Sequence, residues 1–537
     1  MAPENITDYL FDYARSNPNK PALLYPERIT FGELCHLTEK YAAGFQKNGI
    51  IRGMKTIVLV KPGLDLFAVT YALLRIGAIP VMIDPGMGVK AMVNALKKAQ
   101  AKAFVGTPRA HLLRVFFSVL FKPVAVKVST GRTLFWKTGR LEDFRKKKCI
   151  TCEVFKADPN DEVAVFFTSG STGPAKGVVY KNYMLEAQIR FMRDHFHFRP
   201  EDTDLCTFPL IGLLVICHGL SVVMADMDMT KPGKLNPRKL FQNINQFSCS
   251  SMFCSPMVLQ KLATHGKENN LKLLSLKKVF TAGAPVSPSL LRNFKNLLLP
   301  DSVIHTPFGS TEALSVTDIV DSELFSVYGE SPYYFKGICV GRPLNGIGLK
   351  IIKITDGPIK NMEDAEKLGV GSVGEIIVYG PNVTQGYLAN DLADKLSKII
   401  DPGQPLLWHR TGDLGKLDDN GKVWYYGRKS QRVEVGNETL FTIPCEAVFN
   451  FHSGVSRSAL VGVQINGRKT PVICIELEKG VKKSERLTRE LQYLAKGNEK
   501  TRQISIFLFH KKFPVDPRHN AKIFREKLAV WAQNQLK

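Results

Sequence analysis

Through the first half of the chain, short runs of β-branched and aliphatic residues alternate with longer segments whose apolar positions recur at helical spacing. Residues 56–62 (TIVLVKP) predict a strand, 65–78 (DLFAVTYALLRIGA) a helix and 79–85 (IPVMIDP) the next strand. Residues 90–100 (KAMVNALKKAQ) predict a helix that leads into AKAFVGT. Strand, helix, strand, helix points to a parallel sheet with crossover helices. From about residue 340 the pattern changes to β segments punctuated by glycine: GLKIIKI, GEIIVYG and GKVWYYG. The C-terminal part mixes short strands such as TPVICIEL with a terminal helix, FREKLAVWAQNQL. The expected fold is α/β. A large N-terminal domain, residues 1–428, should hold mixed or parallel sheets with crossover helices and a β-rich subdomain. A small mobile α+β domain, residues 429–537, should follow.

Length agrees with more than one packed unit, since 537 residues exceed a single typical core. Apolar residues at 44% and charged residues at 23% place the chain among folded proteins rather than disordered ones. Charge changes the picture more. The excess of 73 basic over 49 acidic residues, +24, favours nucleotides, a phosphorylated cofactor, acidic lipid or nucleic acid as partners. The N-terminus, MAPENITDYLFDYARSNPNK, lacks the basic-then-apolar layout of a secretory signal. The longest apolar stretch, 210–225 (LIGLLVICHGLSVVMA), is short for a membrane span and is expected to form buried core. Ten scattered cysteines suit free thiols in a reducing cytosol, so a cytoplasmic location is expected, with membrane association an additional option. Cys149 and Cys152 have C-x-x-C spacing, but without a second pair or a histidine cluster no zinc site is expected. Between 101 and 150, twelve basic residues stand against two acidic ones, interleaved with VFFSVLF and TLFW. That segment is either a basic rim over a folded helix or a patch that docks on anionic lipid to collect a fatty acid.

Residues 166–180, FFTSGSTGPAKGVVY, pack hydroxyls, glycines, a proline and a lysine between two apolar runs. A Walker loop needs G-x-x-x-x-G-K-[ST]; here Ala175 replaces the second glycine and Gly177 follows Lys176. The composition still suits a polyphosphate cradle. Glycines let several backbone N–H groups converge on one anion, hydroxyls add donors and lysine adds charge. The same composition also suits a flexible surface turn.

The order T-S-G-S-T-G-x-x-K-G resembles the phosphate loop of the adenylate-forming superfamily, which includes acyl-CoA synthetases, luciferases and peptide adenylation domains. Further segments similar to that family follow in its order, from about residue 20 to residue 530. The resemblance implies that Thr168, Ser169, Gly170, Ser171, Thr172, Gly173 and Lys176 cradle the phosphates of ATP. It implies that Gly283, Ala284 and Pro285 (in AGAP) and Phe308 (in TPFGSTEA) line the adenine pocket. Thr311 would approach the α-phosphate, and Glu312, with Thr168, would hold Mg²⁺, a hard cation that prefers oxygen ligands. Residues 374–387 (GEIIVYGPNVTQGY) would be scaffold. Asp413 in HRTGDLG would accept from the ribose hydroxyls, with Tyr425 flanking the nucleotide and Arg428 on the ribose side. Lys522 in DPRHNAKIFREKL would be the catalytic lysine, stabilising charge between acid and α-phosphate when the small domain swings closed.

The resemblance therefore implies activation of a medium- or long-chain fatty acid as acyl-AMP, with ATP and Mg²⁺ required and CoA a candidate second substrate. The chain departs from the common pattern where a thiol would approach. Ser430 stands at the usual hinge aspartate, Gly436 lies about one place from the usual glycine, and Ala521 precedes the lysine. IPVMIDPGMGVK, FVGTPRAHLLR and ADMDMTKPGKLNP resemble the β-lactone synthetase branch of fatty-acid–CoA ligase-like proteins, in which a β-hydroxyl displaces AMP. A CoA thioester and a β-lactone both remain open as products. The acid pocket should be apolar, with 209–220 a candidate wall. His218 there either touches the reacting carboxylate or is a hydrogen-bonded core histidine. The rival class is a non-catalytic nucleotide- or nucleic-acid-binding protein on the same fold. Lys176, Glu312, Asp413, Arg428 and Lys522 together argue against it, and no nucleic-acid partner is expected.

Overall fold

The computed structural model describes residues 5–133, 138–147, 151–167, 175–329, 335–516 and 522–536. The segments predicted first appear as Lys55–Leu59, Leu64–Arg75, Ile79–Ile83, Val89–Ala99 and Ala103–Gly106, alternately strand and helix. They belong to a seven-stranded sheet ordered Gly139–Arg140, Val126–Ser129, Ala103–Gly106, Lys55–Leu59, Ile79–Ile83, Glu162–Phe167 and Gly177–Lys181. Neighbours run parallel except the last pair, which is antiparallel. Every residue of Ala103–Gly106 is buried, as expected for a parallel strand covered on both faces.

A second seven-stranded sheet is ordered Val303–His305, Lys278–Thr281, Ser251–Cys254, Thr203–Cys206, Ser221–Met224, Pro21–Tyr25 and Ile29–Thr30. The Leu64–Arg75 helix is apolar on nearly every side because it lies in a core that also takes Val58 from one sheet and Val222 from the other. The apolar stretch 210–225 divides into the helix Pro209–Ile216 and the strand Ser221–Met224. Gly219 turns the chain between them with φ +79, and a Cβ there would strike the Tyr13 ring. Among the described residues no helix is long and apolar enough to cross a membrane.

The glycine-punctuated segments form an antiparallel sheet ordered Ile338–Cys339, Val423–Arg428, Trp408–Leu417, Gly374–Tyr379 and Gly348–Ile352. Beyond it, Val455–Ile465, Arg468–Leu477 and Ile506–Phe509 make a three-stranded sheet with helices on both faces. Strand alternation shows in Arg468–Leu477: Ile473 and Ile475 join a core with Phe449 and Leu491, while Val472 and Cys474 face Leu528 and Ala532. The nine described cysteines are free thiols and no described group of residues is arranged to hold a metal; Cys149 lies outside the described residues.

Candidate active site

The chemistry predicted from sequence converges on one cavity of about 1400 Å³. Lys176, Gly283, Ala284, Pro285, Phe308, Thr311, Glu312, Asp413, Tyr425, Arg428 and Lys522 all line it. Residues 168–174 of the predicted phosphate loop lie outside the described residues. The strands Glu162–Phe167 and Gly177–Lys181 flank that loop and pair antiparallel, Phe167 opposite Gly177, so both ends of the loop are fixed by one sheet edge. Gly283 follows the strand Lys278–Thr281 with φ +90, a conformation that favours glycine.

Thr311 and Glu312 occupy the turn between Phe308–Ser310 and Ala313–Asp318, two antiparallel strands. The Thr311 carbonyl accepts from the Tyr180 hydroxyl at 2.8 Å. Glu312 Oε1 accepts from the Tyr387 hydroxyl at 2.9 Å, and its carbonyl accepts from Thr384 N–H at 2.8 Å. Lys176 Nζ lies 4.9 Å from the centre of the Tyr387 ring, so one tyrosine contacts both the carboxylate and the ammonium. A carboxylate held this way in the cavity wall is a suitable oxygen donor for Mg²⁺.

Asp413 and Arg428 are register partners on adjacent antiparallel strands, and Arg428 Nε stands 3.2 Å from Asp413 Oδ1. Burial pushes the Asp413 carboxyl up, while Arg428 and Lys522 pull it down. Arg428 rises above its ordinary value because of the Asp413 charge. The Phe308 and Tyr425 rings approach to 5.8 Å with planes tilted by 43°. Lys522 stands next to the bridge between Val515 and Ile523, with Asp516 N–H donating to its carbonyl at 2.9 Å. Arg525, three residues on, is held to the C-terminal unit through both Glu446 oxygens, at 2.9 and 2.6 Å.

From this polar end the cavity continues between apolar walls. Pro209, Leu210, Ile211, Leu213, Leu214 and Cys217 form one side, as predicted for 209–220. His218 does not line the cavity. Burial pushes it down to about 4, which leaves it neutral, and its Nε2 is buried without a hydrogen bond. Half-buried and outside the lining, it matches neither the contact to the acid nor the fully hydrogen-bonded core residue that the sequence suggested.

A family model described as AMP-binding enzyme matches residues 10–388. The chain belongs to the AMP-binding enzyme family. The olefin β-lactone synthetase of Stenotrophomonas maltophilia (strain K279a) is 37% identical over 99% of this chain and 99% of its own. A 4-chlorobenzoate–CoA ligase of Arthrobacter sp. is 25% identical, covering 84% of this chain and 81% of its own. The structure of o-succinylbenzoate CoA synthetase from Bacillus subtilis with ATP and magnesium superposes with a TM-score of 0.76, at 20% identity over 97% of this chain and 98% of that one. Within the family the chain falls in the β-lactone synthetase branch of the adenylate-forming enzymes.

Several residues in or near the cavity wall were not singled out from the sequence. Lys398 is buried behind Tyr387, donates to the Thr384 carbonyl and stands 3.2 Å from His409 Nδ1. Burial pushes its ammonium down to about 7 and pushes His409 well below its ordinary value. Gln188, 5% exposed, Ser255 and Thr281 are among the lining residues, and the Gln188 amide nitrogen and the two hydroxyls are buried without a hydrogen bond in the structure. Lys429, just past the predicted boundary, reaches back to fully buried Glu375 at 3.0 Å, beside Arg410 at 2.6 Å. A lysine next to apolar residues at 398–400 was the one sequence signal for the first group. The others needed the cavity to be seen.

Proposed function

We propose that this chain adenylates a long-chain β-hydroxy fatty acid and closes the acyl adenylate to a β-lactone. The observation that carries this reading is a single cavity joining Asp413, Arg428 and Lys522 to long apolar walls, in a chain similar over its whole length to an olefin β-lactone synthetase. In the first step a carboxylate oxygen attacks the α-phosphorus of ATP and pyrophosphate leaves. Lys522 lies between the two anions and offsets their repulsion; Asp413 accepts from the ribose hydroxyls, and Phe308 and Tyr425 flank the base. Glu312, with Thr168, would hold the Mg²⁺ that shields the departing pyrophosphate. In the second step the β-hydroxyl oxygen attacks the acyl carbonyl carbon, its proton leaves, and AMP departs as the four-membered ring closes.

Residues 1–428 are read as the large domain and 429–537 as a lid that carries Lys522. Gly427 supports a junction there: at φ +125 it packs so closely on Thr442 that a Cβ would strike the hydroxyl. The Lys429–Glu375 contact and the Arg432–Asp356 pair, 2.7 Å apart, favour one pose of this hinge. A ligase that must expose its adenylate to a thiol gains from a second pose; intramolecular closure needs none. CoA thioester formation is the second reading, favoured by the CoA ligases among the relatives. Incubation of a β-hydroxy fatty acid with Mg·ATP, with and without CoA, distinguishes them. Pyrophosphate, AMP and lactone without CoA support the proposal; thioester that appears only with CoA selects the second reading; no acyl adenylate removes both.

A further inference from the structure

Between Asp84 and Glu142 the chain carries eleven lysines and arginines and no acidic residue. At the centre of this segment are the helix Pro108–Phe116 and the 3-10 turn Ser118–Phe121, which sort their apolar residues onto two faces. Leu113, Phe117, Leu120 and Phe121 pack inward on the core around Phe104. Leu112, Val115 and Phe116 on the helix and Val119 in the turn that follows it are 46%, 44%, 82% and 83% exposed. Inward packing already supplies what the core needs from this segment, so the outer stripe is not explained by folding. Single exposed apolar residues are ordinary; four in eight positions on one stripe are not. Lys102, Arg109 and Lys122 are exposed in the same segment, and the neighbouring helix Val89–Ala99 adds exposed Val89 and Lys97. His111 beneath the stripe is buried, 3.0 Å from the Val128 carbonyl, and pushed down to about 4, so the positive charge comes from lysine and arginine alone.

The inner side of this helix reaches the cavity. Arg109, Ala110 and Leu113 line it together with Met92. Arg109 is exposed as well, so the basic apolar edge and the cavity meet there.

We propose that this edge docks on an anionic lipid bilayer, with Phe116 and Val119 entering the boundary between headgroups and acyl chains, and that the acid passes from bilayer to cavity beside Arg109. The proposal rests on the reading of a long-chain acid as substrate. An anionic bilayer offers both partners this face requires: phosphate headgroups for the basic residues and an apolar boundary for the stripe. It also holds a water-insoluble acid at the depth where the stripe inserts.

The test is sedimentation of the full chain with phosphatidylcholine vesicles, with and without phosphatidylglycerol. Binding is expected only with phosphatidylglycerol and is expected to weaken as salt rises from about 0.1 to 1 M. Phe116→Asp with Val119→Asp should lower binding by about tenfold or more. Lys97→Glu with Lys122→Glu should lower it by about tenfold as well. Both variants should keep the parent melting temperature and the parent rate of pyrophosphate release on a short, water-soluble acid. The proposal is overturned if the parent does not bind such vesicles, or if both variants bind as the parent does. It is also overturned if the first pair instead dissociates a self-associated form that never bound lipid. Vesicle binding without acyl adenylate on any acid would remove the substrate reading but leave the docking face; adenylate formation without binding would do the reverse.

Discussion

Asp413 and Arg428 owe their contact to the register of two antiparallel strands, whereas Lys522 is brought to the same cavity by the C-terminal unit, where Arg525, three residues on, is held by Glu446. Moving Asp413 relative to Arg428 would break sheet hydrogen bonds; moving the unit beyond Lys429 would instead break side-chain contacts such as Arg432–Asp356 and Lys500 with the Phe335 carbonyl. The contrast separates two tasks. On the proposed function, the sheet would hold the nucleotide and the C-terminal unit would contribute the lysine charge for the chemical step.

The largest expected effect tests the mobile side. Lys522→Ala should slow acyl adenylate formation by about a thousandfold while nucleotide affinity stays within a few-fold, measured by single-turnover pyrophosphate release and nucleotide titration. An equal loss in affinity would place Lys522 among the binding groups and erase the distinction. Next comes the junction. Glu375→Gln leaves Arg410 and Lys429 buried beside a neutral amide, and should cost about 3–5 kcal/mol of stability in a denaturant melt. Asp413→Asn probes the fixed side: kcat/KM for ATP should fall about ten- to a hundredfold with the KM for the acid nearly unchanged.

The smallest effect lies away from the site. Burial pushes the Asp204 carboxyl from 3.8 up to about 7. Between those values the folded protein keeps a proton that the unfolded chain has released. Its contribution to stability is therefore complete below pH 3.8 and is lost as pH rises through about 7. Asp204→Asn should flatten that part of the melting temperature–pH curve. A curve parallel to the parent's would show that another group sets the slope.

Much of the site was legible because the family's segments are short and local. TPFGSTEA becomes a hairpin whose turn presents Thr311 and Glu312, and HRTGDLG lies along one strand that carries Asp413 inward. Strand and helix periodicity gave the parallel sheet for the same reason, since each element is decided by a few consecutive residues. His218 shows the limit. Its position in an apolar segment was readable, but not that it lies past the end of the helix Pro209–Ile216 and outside the cavity lining. The Lys429–Glu375 contact was invisible because it joins residues 54 apart in sequence, and Gln188 because its burial at the cavity is decided by the fold.

By itself, then, the amino-acid order determined the α/β class, the succession of nucleotide-site segments and the unbroken basic run from 85 to 141, because periodicity, motif spacing and charge are properties of neighbours along the chain. Only the tertiary structure decided that Glu312, Asp413, Arg428 and Lys522 face one cavity, that Tyr387 contacts both Glu312 and Lys176, and that Arg109, on the helix carrying the outer apolar residues, is both exposed and part of the cavity lining. Those facts depend on which distant surfaces exclude water from one another, and burial is a property of the folded whole.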